Sequence, residues 1–268
     1  MKKVLIIIPT ADEVMPECMK AAKSQDYGNF DVMVNVLKPS FMSNNWNLNR
    51  TMNMIANRNA LRGRALETDA DYFWMLDSDV VPPHDALSKM MKQVGKKKVS
   101  MDFVMPNIPI IKDGTPVKEK HIIGGWYEFR NPVGDRKMTG AWNCGKWVAD
   151  NTLMNLGYQD KGFIEVDKID LGCVLVKREV LDKVKFKEGN VRSIKYYGCN
   201  RWTWPCHCLM FAIDAQDLGY QLWMDGSVVC EHLDRRKKCP GLKEFISMKK
   251  TLLQSFQMAK RWALGMEL

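Results

Sequence analysis

The 268-residue chain contains no apolar run of the length that crosses a bilayer, which excludes a transmembrane helix as a reading. Its first apolar run, Val4 to Ile8, follows Met1-Lys2-Lys3 and is too short for the core of a secretory signal. A cytoplasmic protein is therefore expected, with its eight cysteines kept as thiols. None of those cysteines forms a C-x-x-C pair. Cys199, Cys206, His207, Cys208, Cys230, His232 and Cys239 are suggestive in kind, since thiolate and imidazole bind zinc, but their spacing is not that of a standard zinc site. Internal repeats and low-complexity tracts are also missing.

What is present is ordinary in bulk and unusual in detail. Apolar residues make up 46% and charged residues 26%, as in soluble globular domains, and the length suffices for a substantial core. The formal net charge of +9 favours an anionic ligand: a nucleotide, a nucleic acid or an acidic membrane surface. The 19 methionines and 9 tryptophans are many. The tryptophans gather in the second half, where they suit either a flat acceptor surface or a core.

The stretch Asp71-Tyr-Phe-Trp-Met-Leu-Asp-Ser-Asp-Val80 organises the rest. Tyr72 to Leu76 is a continuous apolar run of strand length. Pro82 and Pro83 stop it, and a helix is expected from His84. Asp77 and Asp79 therefore end a buried strand, the place where open α/β sheets bind ligands. Hard divalent ions take such carboxylates and accept a diphosphate as co-ligand. The alternative is that both aspartates merely cap the next helix.

Around this stretch the pattern alternates strand and helix. Val4 to Ile8, Phe30 to Leu37 and Lys98 to Met105 read as strands. Met15 to Gln25 and Thr51 to Leu66 read as helices, the latter with Met52, Ile55, Ala56, Ala60 and Ala65 facing inward. Such an order implies a parallel sheet with helices on both faces. Between Pro106 and Gly162 regularity fades, and Gly124-Gly125-Trp126 and Gly140 to Trp147 read as loop or hairpin. Strands return at Phe163 to Asp167, Asp170 to Lys177 and Gln221 to Cys230. Helices are expected at Arg178 to Val184 and Cys206 to Leu218, the second closed by Gly219. Residues 1–240 read as the main domain. Residues 241–268 read as an amphipathic basic helix, docked on the body or lying on a membrane surface.

Four ordered features resemble the nucleotide-sugar glycosyltransferases of the GT-A fold, family-2-like, in their small phage and archaeal form. They are Leu5-Ile-Ile-Ile-Pro9 with Ser24-Gln-Asp-Tyr27; Arg58-Asn59 ahead of Ala70 to Asp79; Asp170-Leu-Gly-Cys-Val-Leu-Val-Lys-Arg-Glu-Val-Leu181; and Gly219-Tyr220 through Asp225 to Val228-Val-Cys-Glu-His232. The resemblance implies an α/β, GT-A Rossmann-like, mostly parallel sheet flanked by helices, with a loop-rich acceptor-side excursion and a C-terminal helix. It implies transfer of a sugar from a nucleoside-diphosphate sugar, a UDP-sugar above others, to an acceptor hydroxyl with inversion, using Mn²⁺ or Mg²⁺. Asp79, His232 and Asp77 match the metal positions. Pro9, Arg58, Asp77 and Asp79 match donor-binding positions. Arg235 and Arg236, with Lys237 and Lys238, would hold the departing diphosphate, whose growing charge fixed cations stabilise; a solvated loop is the plainer alternative for that basic run.

Two departures stand out. Asn35 to Lys38 replaces an acidic residue that touches the base in many relatives. Relatives also carry Glu-Asp at the start of the helix ending in Gly219-Tyr220, and here those positions are His207 and Cys208. His207 is the expected general base, followed by Asp170, with Asp167, Glu165 and Asp214 behind. The acceptor would be a glycan, a lipid-linked sugar, a protein or a hydroxylated DNA base. Two rival classes are a non-catalytic nucleic-acid-binding protein, suggested by charge and aromatics, and a nucleotidyltransferase. The second would want glycines in Ile8-Pro-Thr-Ala-Asp12, which has none.

Overall fold

The computed structural model describes residues 1–38, 46–94, 120–128, 143–149, 152–156, 162–189, 194–196, 202–203 and 206–233. The expected strand at Lys98 to Met105, the basic run after His232 and the expected helix at 241–268 lie outside these residues. No described helix is long and apolar enough to cross a membrane.

The first half runs β1 (Val4–Thr10), α1 (Pro16–Lys23), β2 (Phe30–Val36), α2 (Trp46–Leu66), β3 (Tyr72–Leu76), β4 (Val80–Val81) and α3 (Ala86–Gln93). There follow β5 (Ile122–Trp126), β6 (Cys144–Ala149), β7 (Thr152–Asn155), β8 (Phe163–Val166), β9 (Lys168–Ile169), β10 (Cys173–Lys177) and α4 (Arg178–Lys183). The last are β11 (Ile194–Tyr196), β12 (Trp202–Thr203), α5 (His207–Asp217), β13 (Leu222–Val229) and β14 (Glu231–His232).

Seven strands form the central sheet, in the order β2-β1-β3-β10-β5-β13-β8. From the pairings, β2, β1, β3, β5 and β13 point one way and β10 and β8 the other. The sheet is thus mostly parallel, as the sequence implied. Its central strands are apolar throughout because both faces are covered. Leu5, Ile7, Phe73 and Met75 pack on one face with Ile55 and Leu61 of α2, Val180 of α4 and Phe211 of α5. Val4, Ile6, Ile8, Tyr72, Trp74 and Leu76 pack on the other with Cys18 and Ala22 of α1 and Leu87 and Met90 of α3. The edge strand β2 is only partly buried, which explains its imperfect pattern.

Three expectations change. Gly124-Gly125-Trp126 is not a loop but most of β5, fully buried between β10 and β13. Its glycines mark close approach: a Cβ on Gly124 would collide with Cδ1 of Ile169 and stand 2.9 Å from Sδ of Met224, and one on Gly125 would stand 2.7 Å from Cγ1 of Val228. The inner face of α2 also differs. Ala56 and Ala60 are exposed, while Asn57, Arg58 and Leu61 are buried beside Ile55 and Ala65. Hydropathy favoured the alanines, but polar groups occupy the face that looks toward the strand ends. Finally, Val80–Val81 pairs with Glu231–His232 in a short two-stranded ladder that no periodicity announced.

A second sheet, β12-β11-β7-β6-β9, stands beside the first. Its β6–β7 hairpin falls where the loop-or-hairpin reading lay. Gly219, with φ of 84°, closes α5, its N–H reaching the Gln216 carbonyl at 2.8 Å.

Gly124→Ala should cost about 1–3 kcal/mol by overpacking, measured as a loss of unfolding free energy in urea. An unchanged midpoint would mean that β5 is not packed as described.

Candidate active site at the strand ends

Asp77 is the first residue past β3. Its N–H donates to the Gly172 carbonyl at 2.9 Å, and its own carbonyl accepts Val80 N–H at 3.1 Å, closing a turn over Ser78 and Asp79. Arg58, from the buried face of α2, donates from Nη2 to Oδ1 of Asp77 at 2.6 Å. The guanidinium is 4% exposed and the carboxylate 31%, so an interior cation orients a carboxylate that still faces outward.

The β4–β14 ladder sets His232 opposite Val80, next to Asp79. Leu233 N–H donates to the Asp79 carbonyl at 2.8 Å, which fastens the pair further. His232 Nδ1 lies 3.1 Å from the Glu128 carbonyl. A carbonyl only accepts, so Nδ1 carries the proton and Nε2 faces Asp79, 3.7 Å from its Oδ1. Burial lowers the proton affinity of His232, but Asp79, the Glu128 carbonyl and Asp77 outweigh it and leave the pKa above the ordinary 6.5.

Pro9, the last residue but one of β1, stands at the same level. β1 and β3 pair in register up to Ile7–Met75, so Pro9 and Asp77 each stand two residues beyond. Beside it, buried Asn57 donates to the Thr10 carbonyl at 2.8 Å and accepts from Asn35 at 2.8 Å. Arg64 donates to Oδ1 of Asn35 at 2.9 Å. Asn35 is thus an amide fixed from both sides.

On the other flank, Asp170 follows the β9 strand that pairs with β6. Its N–H donates to the Asn143 carbonyl at 2.8 Å, and Lys168 Nζ lies 2.7 Å from its Oδ2. Fully buried Asn143 also bonds the Gly125 carbonyl and the Tyr127 N–H, tying the end of β5 to this corner. Tyr127 Oη accepts the Gly172 N–H at 3.1 Å. Burial, then Asp170 and Asp77, push the Tyr127 pKa up, so it stays a neutral phenol.

His207 opens α5 and faces this group. Burial first, then the Arg58 guanidinium, lower its pKa from 6.5 to about 4, against the opposing pull of Cys206, Asp77 and Asp170. The ring is therefore neutral near pH 7. Its Nε2 is 3.4 Å from Cys208 Sγ. The structure thus gathers Asp77, Asp79, His232, Arg58, Asp170 and His207 at one end of the sheet.

The trailing carboxylates are engaged elsewhere. Asp167 accepts Trp147 N–H at 2.9 Å and pairs with Lys146, Asp214 pairs with Lys187 at 2.9 Å, and Glu165 opposes Trp223 in the β8–β13 ladder. Arg235 and Arg236 lie outside the described residues. Sequence reasoning passed over Tyr127, Asn143, Lys168 and Asn57. The last alone had a signal, its place beside Arg58 on one helix.

No protein-family model matches the chain, and no curated protein matches it in sequence. Among solved structures it is similar to A197 from STIV, with 15% identity and a TM-score of 0.46 over 87% of this chain and 86% of that one. It is also similar to TarS 1-349 of S. aureus, with 10% identity and a TM-score of 0.42 over 87% of this chain and 61% of that one. What the site can do is decided by its own side chains.

The depressed His207 pKa has a stability consequence. Between pH 6.5 and about 4 the unfolded chain takes up a proton at this position that the folded chain refuses, so folding stability falls as pH falls through that window. His207→Gln should remove roughly 2–3 kcal/mol of that acid-limb loss and change nothing above pH 7. Parallel stability profiles of the two proteins from pH 7 to 4 would show that the ring is not desolvated.

Proposed function

We propose that this chain is a metal-dependent glycosyltransferase that moves a sugar from a nucleoside-diphosphate sugar, with a UDP-sugar favoured, to an acceptor hydroxyl with inversion. The observation that carries the assignment is the set Asp77, Asp79 and His232 at the carboxyl end of the central strand, with the Nε2 of His232 turned to Asp79.

These residues fit a hard divalent ion: carboxylate oxygens and one imidazole whose tautomer is fixed by a backbone carbonyl. Asp79, His232 and Asp77 would hold Mn²⁺ or Mg²⁺. When bound, such an ion would neutralise negative charge on the diphosphate as the glycosidic bond breaks. Arg58 keeps Asp77 in one orientation through its 2.6 Å contact and leaves a positive charge beneath the donor site. Pro9, level with Asp77, would line that site. Arg235 and Arg236 would meet the departing diphosphate.

His207 would take the proton from the acceptor hydroxyl as its oxygen attacks the sugar. The ring is already in its base form at neutral pH, and Arg58, Asp77 and Asp170 all act on it. Asp170, held by Lys168, is the neighbouring carboxylate that would share this work. The acceptor would be a glycan or a hydroxylated DNA base, and the net charge of +9 suits an anionic one.

In thermal-shift titrations with UDP-, GDP-, CMP- and dTDP-sugars, one donor should stabilise the fold, and only with Mn²⁺ or Mg²⁺ present. Asp79→Ala should abolish that stabilisation; an Asp79→Ala protein that binds donor as before would remove the metal assignment. His207→Ala should lower turnover roughly 10²- to 10⁴-fold while donor binding is kept. Full activity in that variant would pass the base role to Asp170.

A further inference from the structure

The mouth of α5 holds a second constellation of a different chemical kind. Cys206 is the residue preceding the helix, with extended backbone angles of −72° and 162°, and Cys208 is its second residue. That bend lets both side chains turn the same way, where successive helical positions would diverge. Asp170 comes up from the end of β9. A carboxylate oxygen of Asp170 and the sulfurs of Cys206 and Cys208 all lie within 4.8 Å of one another. Asp170 and Cys208 are buried and Cys206 partly so.

The geometry points to a zinc site formed by Cys206, Cys208 and Asp170, separate from the Asp77–Asp79–His232 set; with zinc bound, Asp170 is a ligand and the base role falls to His207 alone. In a tetrahedral zinc site, with bonds of about 2.0–2.3 Å, neighbouring ligand atoms stand roughly 3.5–3.8 Å apart. Closing the three ligands onto an ion thus takes no more than about 1 Å of side-chain movement. Three protein ligands leave a fourth position for solvent.

The charges balance. Lys168, itself 3% exposed, sits 2.7 Å from Asp170 and cancels its charge. Zinc binding releases one proton from each thiol to solvent, and the two thiolates formed cancel the ion. No net charge is then left in a buried corner, where an uncompensated one would be costly. Two sulfur ligands select a soft ion and discriminate against Mg²⁺ and Ca²⁺, so those ions would not fill this site. The sequence spacing hid this, because the third ligand comes from another strand, 36 positions before Cys206.

This inference does not rest on the sugar-transfer reading. The test uses the full reduced chain, desalted and titrated with Zn²⁺ alone against a chromophoric chelator, with Co²⁺ as spectroscopic probe. One equivalent of Zn²⁺ beyond any held by Asp77, Asp79 and His232 should bind, and Co²⁺ should give a sulfur-to-cobalt charge-transfer band. Both should vanish in Cys206→Ser/Cys208→Ser. In the unaltered chain, iodoacetamide labelling read by peptide mass and continued until Cys206 is modified without zinc should spare it with zinc, which needs no variant to fold. Absence of the cobalt band, a band that survives the double substitution, or Cys206 labelling indifferent to zinc would each overturn the assignment.

Discussion

The active end of the sheet depends on the absence of a side chain at Gly172. Its carbonyl receives the Asp77 N–H at 2.9 Å, and its own N–H goes to the Tyr127 hydroxyl at 3.1 Å. A Cβ there would lie 2.5 Å from that hydroxyl and 3.0 Å from Oδ2 of Asp77. One residue thus sets the distance between the ends of β3, β5 and β10. With any larger residue, Asp77 would swing away from Arg58, or Tyr127 would leave the core. The carboxylate geometry is therefore a packing result before it is an electrostatic one.

The second constraint is the way charge is kept inside. Arg58 and Lys168 are both nearly buried, at 4% and 3% exposure, and each meets an aspartate that stands nearer the surface. Burying a lone cation is costly, and a close carboxylate offsets most of that cost. The consequence is functional. Asp77 and Asp170 gain a fixed orientation from below, and Asp77 keeps an exposed outer face. His207 lies within reach of both pairs, and the nearer influence of Arg58 adds to burial in keeping its ring neutral.

Strands with covered faces were legible in the sequence. Tyr72–Leu76 is an uninterrupted apolar run, Phe163–Val166 and Leu222–Val229 are strands where strands were expected although Glu165 and Asp225-Gly226-Ser227 interrupt their apolar residues, and Gly219 stops α5 as its place after Leu218 implied. β5 was not legible, because its centre is Gly124-Gly125, a pair that elsewhere marks a turn. Here the glycines serve contacts from Ile169 and Val228, which are distant in sequence. The candidate site was half legible. Asp77, Asp79 and His232 carry their chemistry in their type and order. Asn143, Lys168 and Tyr127 are brought in by the β6–β9 and β5–β10 pairings, and no local pattern reports such pairings. The misassigned face of α2 has the same root. Periodicity ranks alanine above asparagine and arginine for burial, yet the sheet ends require donors at Asn57 and Arg58.

His207 at the head of α5 has the base strength of a carboxylate without its charge. A general base works through its basicity at the working pH. An ordinary histidine, near 6.5, would be partly charged and would repel the neighbouring guanidinium. Burial and Arg58 bring this ring to about 4, which is the basicity of an unperturbed aspartate or glutamate. Charge differs where strength does not: the base form of His207 is neutral and becomes cationic when it takes a proton, whereas a carboxylate begins as an anion. Next to Asp77 and Asp170, an added anion would be repelled, and a neutral ring is tolerated. The aspartates at the strand ends and the neutral ring at the helix head thus belong to one electrostatic arrangement.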